Sequence, residues 1–314
     1  MLNVVNSEDI LMRLGYDFIK RVDRSIEPRK TNTRFIDIAP ELKSLWISSQ
    51  ELYEHQLKAL EALDKGFSII LKSGTGSGKT EAWFLHFYKR FKEDSRFRAI
   101  AIYPTLALAN DQIKRISIYS EAINAKVLKL DAMYRDELVK RIGASGLKRE
   151  ILSSNLIITN PAFIFHEIKK ILLKPSSPFH QFFKKLNLLV IDEFDFYSPR
   201  SIALMLSFID IVMNIADEKP QIAVLTATLA NPEELCMFLE KVAKRQCIVI
   251  DGEPFRVENR MYIVLGKNLY EIWSRVRGYR GYIESRGVED KIVIKALDDF
   301  DFFKRNAYRV IQFL

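Results

Sequence analysis

The stretch that decides the fold is Ser68-Ile69-Ile70-Leu71-Lys72-Ser73-Gly74-Thr75-Gly76-Ser77-Gly78-Lys79-Thr80, and an amphipathic segment over 81–91 follows it. The first four residues form a short apolar run that is typical of a buried strand. The glycines allow backbone N–H groups to converge on phosphate oxygens, and the start of the following helix adds partial positive charge. Lys79 can then reach the β- and γ-phosphates, and the Thr80 hydroxyl can ligate Mg²⁺. We therefore predict a phosphate-binding loop.

The loop departs from the strict pattern at one position, because that pattern begins with glycine and this chain has Ser73. A serine side chain is small enough that we still expect the loop to form. The alternative interpretation is a glycine-rich turn that binds no ligand.

Six further apolar runs alternate with amphipathic segments between about residues 52 and 250. Four or five consecutive apolar residues indicate strands that helices cover on both faces, as in a parallel sheet. The intervening segments are long enough to hold crossover helices. We therefore predict a doubly wound α/β domain with a mostly parallel sheet over residues 51–252. The seven predicted strands are Ser68–Leu71, Ala99–Tyr103, Lys126–Leu130, Leu156–Thr159, Leu188–Ile191, Ile222–Leu225 and Cys247–Ile250.

Composition narrows the class of protein. The 314 residues are 48% hydrophobic and 28% charged, which is ordinary for a globular protein of about two domains. Forty-eight Lys and Arg against 40 Asp and Glu leave a net charge of +8, which suits a polyanionic partner such as nucleic acid. We expect neither a signal peptide nor a membrane span, and therefore a cytoplasmic protein. With only Cys236 and Cys247 present, we expect buried thiols rather than a disulfide framework or a structural zinc site.

A pair of acids ends one of the predicted strands. Asp192 and Glu193 directly follow the run Leu188–Ile191, and they come 113 residues after Lys79. The carboxyl end of a parallel strand is where such sheets bind ligands, so Asp192 is placed to hold Mg²⁺. Glu193 beside it can orient and deprotonate an attacking water. The pair predicts nucleotide hydrolysis, whereas on their own the two acids would also fit a helix cap.

Polar residues follow two other strands. Thr105 comes after the run 99–103, and Thr159 and Asn160 end the run 156–159, so both groups should lie at the same sheet edge as Lys79. Hydroxyl, amide and backbone N–H groups can hold phosphates without reading base sequence. The alternative interpretation is that they cap the helices that follow. Both interpretations can hold together.

These motifs together resemble those of superfamily 2 helicases of the DEAD/DEAH type, over about residues 52–240. Asp192-Glu193-Phe194-Asp195 resembles the Walker B box, and Leu52-Tyr53-Glu54-His55-Gln56 is similar to the upstream glutamine motif. The resemblance implies a RecA-like P-loop lobe that uses ATP and Mg²⁺, with Gln56 on the adenine edge. It also implies contacts of Pro104, Thr105, Thr159, Asn160 and Pro161 with one nucleic-acid strand, and coupling of ATP to strand movement through Thr226 and Thr228.

The run 226–234, Thr-Ala-Thr-Leu-Ala-Asn-Pro-Glu-Glu, further resembles YprA-like and Lhr-like DNA repair helicases. This resemblance implies single-stranded or duplex DNA, rather than RNA, as the partner. A CRISPR-associated helicase subunit is the alternative relative. The Asp192–Asp195 variant itself does not discriminate DNA from RNA.

The flanking segments complete the predicted organisation. Residues 1–50 are interpreted as a leader, with a helix that Asn6–Asp9 cap and that runs toward Arg24. Residues 253–314 are interpreted as a linker toward a second RecA-like lobe, with one more strand at Met261–Leu265 and a final amphipathic helix from Asp298. The arginines of 275–281 echo an arginine-finger box but lack its glutamine, so we interpret them as a surface stretch. The chain is therefore expected to be one motor lobe, from a truncated chain or a split protein.

Three functions compete at this point. The favoured one is the ATP-binding lobe of a helicase or translocase. A second is a stand-alone nucleic-acid-binding or scaffolding module with a vestigial nucleotide site, against which the intact Lys79, Thr80, Asp192 and Glu193 argue. A third is a P-loop kinase, for which the sequence offers no acceptor pocket or lid.

Overall fold

The computed structural model describes residues 7–173, 176–285 and 291–311. It divides into two compact units. The larger contains residues 26–256, and the smaller combines the residues up to 25 with those from 257 onward.

Eleven strands occur in the described part of the chain. They are β1 (Tyr16–Asp23), β2 (Lys30–Arg34), β3 (Glu51–Tyr53), β4 (Ser68–Lys72), β5 (Ala99–Ile102), β6 (Val127–Lys129), β7 (Leu156–Thr159), β8 (Leu188–Ile191), β9 (Gln221–Thr226), β10 (Cys247–Asp251) and β11 (Asn259–Lys267).

Fourteen α-helices occur in the same residues, together with 3₁₀ turns at Pro40–Ser44, Trp46–Ser49 and Phe194–Phe196. The helices are α1 (Ser7–Arg13), α2 (Phe35–Ile38), α3 (Glu54–Asp64), α4 (Lys79–Glu93), α5 (Leu106–Glu121), α6 (Ala132–Ser153), α7 (Pro161–Leu173), α8 (Pro178–Lys184), α9 (Pro199–Ile215), α10 (Pro232–Ala243), α11 (Leu269–Gly278), α12 (Arg280–Ser285), α13 (Lys291–Asp298) and α14 (Phe300–Ile311).

The larger unit is built on a seven-stranded sheet in the order β10-β4-β9-β8-β5-β7-β6. Every pairing in it is parallel, and each of its seven strands overlaps one predicted run, so the predicted doubly wound sheet is confirmed. Two strands are shorter than predicted, because β5 ends at Ile102 and β6 spans only Val127–Lys129. Alternate residues of one strand enter opposite cores: Ile69 and Leu71 pack with α3, α4 and α5, whereas Ile70 packs with the helices of the other face. Burial on both faces is the reason that the strands are continuously apolar.

The segment over residues 26–50 packs on the same unit as the sheet. Phe35, Leu42 and Ile47 are almost fully buried in the core that contains α3 and α4. The Glu41 carboxylate pairs with Lys92 at 2.7 Å and accepts a hydrogen bond from the Tyr88 hydroxyl, both on α4. The division of the chain thus lies at residue 25, whereas the sequence places a boundary at residue 50.

The smaller unit begins with α1 and an antiparallel pair of strands. The predicted helix running toward Arg24 is wrong, because α1 ends at Arg13 and residues Tyr16–Asp23 form β1. Gly15 has φ +73°, a left-handed conformation that ends a helix, and β1 then pairs with β11 from the far end of the chain. The strand predicted at Met261–Leu265 lies within β11.

Helices α11 to α14 pack around a small apolar cluster of their own. Trp273, Ile283 and Phe303 are among its buried members, and the Trp273 indole donates a hydrogen bond to Ala296 O at 2.9 Å. Residues 275–281, which the sequence predicts to be a surface stretch, lie in α11 and at the start of α12, with Tyr279 between the two helices, and Arg275 and Arg277 are exposed. Arg280 pairs with Glu284 and Asp298.

The two cysteines differ from expectation. Both are buried, but Cys236 of α10 and Cys247 of β10 form a disulfide, so the prediction of thiols is wrong. The short turn between α10 and β10 brings their Cα atoms to 5.5 Å, a separation that a disulfide spans readily. None of the described helices has the length and apolar character that crossing a bilayer would need.

Candidate nucleotide and nucleic-acid site

The predicted site residues meet at one edge of the sheet because parallel strands end together. Lys72 at the end of β4 lies beside Thr226 at the end of β9. Ile102 at the end of β5 lies beside both Thr159 and Ile191. The residues that follow these strands therefore share the carboxyl edge, where parallel sheets bind ligands.

The loop after β4 has the backbone that phosphate binding requires. Gly76 and Gly78 adopt left-handed φ values of +85° and +78°, which residues with a Cβ atom rarely adopt. Helix α4 then begins at Lys79, so its N-terminus faces the loop. The Lys79 ammonium donates a hydrogen bond to Ser73 O at 3.0 Å, and this donation turns the side chain back over the loop. The predicted loop therefore has the geometry of an anion cradle.

The side chain of Ser73, at the first position of the loop, fits because it has a hydrogen-bond partner and a glycine beside it. The Ser73 hydroxyl donates to the Ser77 hydroxyl at 2.7 Å, and both residues are buried. A Cβ atom on Gly252, which follows β10, would lie 2.5 Å from Ser73 Oγ and 2.7 Å from Ser73 Cβ. Gly252 thus leaves the space that the serine side chain occupies.

The acids after β8 approach the loop lysine. Glu193 Oε2 lies 3.6 Å from Lys79 Nζ, and within the described residues this buried oxygen accepts no hydrogen bond. Glu193 has φ +47°, an uncommon conformation for a residue with a side chain, and its N–H donates to Asp192 Oδ1 at 2.8 Å. Burial, with the charge of Glu193 second, raises the pKa of Asp192 to about 7. A buried carboxylate of this kind gains from a cation beside it.

The donors at this point suit Mg²⁺. Asp192 and the Thr80 hydroxyl offer the hard oxygen ligands that this ion prefers. Among the described residues no group of three or more His, Cys, Asp or Glu side chains could hold a metal by itself.

Two neighbours on α3 contact the loop, and the sequence singled out one of them. Gln56 accepts from Tyr53 N at 2.9 Å and donates to Gly78 O at 2.9 Å, so its amide is oriented from both sides. No sequence pattern predicted a role for His55, whose Nε2 lies 2.9 Å from Ser77 O. Because a carbonyl oxygen can only accept, the proton of the neutral ring lies on Nε2. Burial lowers the pKa of His55, which favours the neutral ring.

A second group that sequence reasoning missed surrounds Thr80. The Thr80 hydroxyl lies 3.3 Å from Gln112 Oε1, and Gln112 also accepts a hydrogen bond from Arg115. Arg115 Nη1 lies 3.1 Å from the buried Glu81 carboxylate. Glu81 lies on α4 and Arg115 on α5, so their pairing leaves no local signal in the sequence.

Asp195 joins the acidic motif to the residues after β9. Its carboxylate accepts hydrogen bonds from the Thr226 hydroxyl at 2.9 Å, from Ala227 N at 3.2 Å and from the Thr228 hydroxyl at 3.3 Å. Thr226 and Thr228 were predicted to couple the nucleotide site to strand movement. The contacts connect these residues to the same short turn that carries Glu193.

The residues expected to contact nucleic acid differ in solvent exposure. Thr105 is exposed, and its side chain caps α5 by accepting from Leu108 N at 3.2 Å, with half-buried Pro104 before it. Asn160 is buried and caps α7, whose first residue is Pro161, by accepting from Phe163 N at 3.1 Å. The buried Thr159 hydroxyl donates to Leu130 O at 2.7 Å, a bond that any contact with a phosphate would have to replace. Contacts of these residues with a strand stay a prediction.

The segment that contains these motifs matches a known protein family. Residues 53–235 match the family model described as DEAD/DEAH box helicase, which is more than half of the chain. The chain belongs to the DEAD/DEAH box helicase family. This DEAD/DEAH box chain is 28% identical to an uncharacterized ATP-dependent helicase of Methanocaldococcus jannaschii over 224 residues, which are 68% of the chain and 31% of that protein. It is also 28% identical to the uncharacterized ATP-dependent helicase YprA of Bacillus subtilis over 219 residues, 67% of the chain and 28% of YprA.

Solved structures agree with the fold. The DUF1998 helicase MrfA, bound to DNA and AMPPNP, superposes with a TM-score of 0.61 at 23% identity. The likeness covers 87% of this DEAD/DEAH box chain and 39% of that one, and at this identity it shows the fold alone. The chain spans less than a third of the M. jannaschii and B. subtilis relatives.

Proposed function

We propose that this chain is the ATP-binding motor lobe of a nucleic-acid helicase or translocase, and that it hydrolyses ATP to drive movement along a strand. The observation that carries the proposal is the approach of Glu193 to Lys79, at 3.6 Å across the loop of residues 73–80. A phosphate-binding lysine and a buried carboxylate oxygen at one sheet edge are what phosphoryl transfer to water requires.

Each side chain has a distinct task in this proposal. The loop amides and Lys79 hold the phosphates, and Gln56, oriented by Tyr53 and Gly78, takes the edge of the base. Thr80 and Asp192 would hold Mg²⁺, which supplies charge neutralisation at the β- and γ-phosphates. Glu193 Oε2 orients the attacking water and accepts its proton, since it is buried beside Lys79 and accepts no other hydrogen bond in the described structure.

The nucleic-acid partner is proposed to be DNA rather than RNA. Support comes from the likeness of the run 226–234 to DNA repair helicases and from the fold shared with MrfA, which was solved bound to DNA. Thr105 is exposed at the same sheet edge as the nucleotide loop, where its hydroxyl and the start of α5 can meet a phosphate.

We also propose that full turnover needs arginines from a second RecA-like lobe. Arg115 lies beside Thr80, but Glu81 and Gln112 already engage its guanidinium. An arginine that stabilises the transferring phosphoryl group is worth about 10³–10⁵ in rate. The 314-residue chain should therefore bind ATP and turn it over slowly.

The test is steady-state ATP hydrolysis by the 314-residue chain, alone and with single-stranded DNA or RNA of equal length. The proposal predicts a slow rate that DNA raises more than RNA does, and that Glu193→Gln abolishes while ATP binding is retained. Glu234→Gln, an exposed acid of α10, is the matched control and should behave as wild type.

Three results would overturn parts of the proposal. If the chain did not bind ATP, the proposal that it is an ATP-binding motor lobe would be wrong. Equal rates of ATP hydrolysis by wild type and Glu193→Gln would show that Glu193 is not the general base. Turnover of many ATP per second by the isolated chain would contradict the need for a second lobe.

A further inference from the structure

A cleft lies between residues 44–46 and helix α5, within the larger unit. It encloses about 530 Å³. Leu45 and Trp46 line one wall, and Lys114 and Ile118 are among the residues of α5 that line the other. Trp46 and Ile118 keep 69% and 50% of their surface exposed, so the cleft is open to solvent. A ligand can therefore enter it from outside.

Trp46 differs from the other two tryptophans of the chain. Trp83 is fully buried and Trp273 is 7% exposed, whereas Trp46 keeps most of its surface in solvent. Tryptophan side chains are highly buried on average. Scattered exposed apolar residues are ordinary, but Trp46 and Ile118 line the same cleft. The two side chains therefore offer apolar surface to a flat group that enters between them.

The charges at the cleft favour an anion. Lys114 lies in its wall and Lys43 is exposed on the adjacent 3₁₀ turn, and neither ammonium forms an ion pair with a described residue. Arg115 also lines the cleft, but its guanidinium lies 3.1 Å from the Glu81 carboxylate. Among the described lining residues Asp111 is the one acid. Two ammonium groups without a carboxylate partner, against one acid, leave an excess of positive charge.

An exposed face of α5 connects the cleft with Thr105. Asn110, Lys114 and Ile118 are exposed and spaced by four residues, so they follow one another along one side of the helix. Thr105 caps the start of the helix, at the carboxyl edge of the sheet. The helix rises about 20 Å from Thr105 to Ile118. A strand that contacts Thr105 thus has an exposed path to Trp46, along which an amide and an ammonium can donate to phosphates.

A single nucleic-acid strand supplies both groups that the cleft suits. Its bases have flat apolar faces, and its phosphates carry the negative charge that Lys114 would neutralise. Aromatic side chains beside positive charge are how proteins hold single strands without reading their sequence. A duplex keeps its bases stacked on one another and offers no such face along its length.

We propose that the cleft between Trp46 and α5 binds an unpaired nucleotide, with its base stacked on the Trp46 indole and its phosphate on Lys114. The inference rests on the proposed function, because it extends the strand that contacts Thr105 along α5. The contact is insensitive to sequence, since every base has a face that can stack.

The test uses tryptophan fluorescence of the 314-residue chain. Because Trp83 and Trp273 are buried, an oligothymidylate of about 16 nucleotides should quench chiefly Trp46. The quenching should be lost in Trp46→Phe, and inorganic tripolyphosphate, an anion without a base, should cause none. Binding of a labelled oligonucleotide, followed by anisotropy, should weaken about 5- to 100-fold in Trp46→Ala, while Trp46→Phe retains most of the affinity. Thermal unfolding checks that each variant is folded.

A second pair of variants tests the phosphate contact. Lys114→Ala should reduce the slope of log affinity against log salt concentration by about 0.7, the effect of one phosphate contact with a single strand. Lys241→Ala, at an exposed position of α10, is the matched control and should keep the wild-type slope. Trp46→Ala should lose affinity without a change in slope, because stacking releases no counterion.

The outcomes separate this inference from the proposed function. If the labelled strand binds wild type without quenching Trp46, or binds Trp46→Ala with wild-type affinity, the cleft is not a nucleotide site, although the motor lobe can still be correct. Fluorescence that changes with protein concentration instead of with oligonucleotide would mean that a second copy of the chain covers Trp46, and would overturn the inference. Failure of the proposed function looks different, because wild type itself would then bind neither ATP nor the strand.

Discussion

The Asp195 carboxylate accepts a hydrogen bond of 2.9 Å from the Thr226 hydroxyl, and so connects the turn after β8 to the end of β9. Ala227 N and the Thr228 hydroxyl donate to the same carboxylate. The Asp195 side chain therefore links the turn that carries Glu193 to the Thr-Ala-Thr segment.

Replacement of Asp195 should loosen this connection. We predict that Asp195→Ala lowers the free energy of unfolding by about 0.5–1.5 kcal/mol, because Ala227 N and the Thr228 hydroxyl lose their acceptor. The Thr226 hydroxyl can still donate to Thr228 O, at 2.8 Å. Asp195→Asn keeps an acceptor oxygen and should lose less. Urea unfolding measures both, and equal losses in the two variants would contradict the role of the carboxylate as a shared acceptor.

Gly252 and Ser73 should be coupled. Gly252→Ala places a methyl group 2.5 Å from Ser73 Oγ, and overpacking of this kind costs about 1–3 kcal/mol. In a Ser73→Gly background both close contacts disappear, and only Lys72 O remains, at 3.2 Å. We predict that Gly252→Ala destabilises the wild type but has little effect beside Ser73→Gly. Thermal unfolding of the four proteins gives the coupling, and equal costs in both backgrounds would refute it.

The contact of residues 26–50 with α4 should depend on pH. Hydrogen bonds from Lys92 and Tyr88 lower the pKa of Glu41 to about 2, below its ordinary value of 4.5. The stabilisation is then fully present above pH 4.5 and is lost as the pH falls toward 2. We predict that Glu41→Gln lowers the unfolding temperature at pH 7, and that its difference from wild type shrinks at pH 3. Glu61→Gln, at an exposed position, should show no such pattern.

The disulfide should stabilise the larger unit. Cys236 and Cys247 close a loop of 11 residues between α10 and β10, for which chain entropy gives about 2–4 kcal/mol. Reductant should therefore lower the free energy of unfolding of the wild type by that amount and leave the Cys236→Ala/Cys247→Ala protein unchanged. Insensitivity of the wild type to reductant would contradict the pairing.

The sheet could be predicted because each strand carries its own signal. Ile69 and Ile70 are buried on opposite faces, so β4 is apolar at consecutive positions and needs no partner to be recognised. The loop after it is equally local, since its glycines, Lys79 and Thr80 are adjacent in sequence.

The parts that could not be predicted depend on contacts between distant residues. Arg29 and Glu253 are 224 residues apart, and the sequence around neither residue predicts that the two are in contact. The strand β1 is the same case: its sequence supports a helix, and only the pairing with β11 fixes it as a strand. Gly252 could be interpreted only once Ser73 was seen to occupy the space beside it.

The most direct test of the central assignment is equilibrium binding of ATP, with Mg²⁺ present, to wild type, Lys79→Ala and Glu193→Gln. The loop of residues 73–80 and the acids after β8 have separate tasks in our account. Glu193→Gln should therefore bind ATP as wild type does while losing hydrolysis, and Lys79→Ala should bind at least about tenfold more weakly, the loss of one charge-assisted contact. Equal affinity of Lys79→Ala and wild type would contradict the account, because ATP would then not be held by this loop.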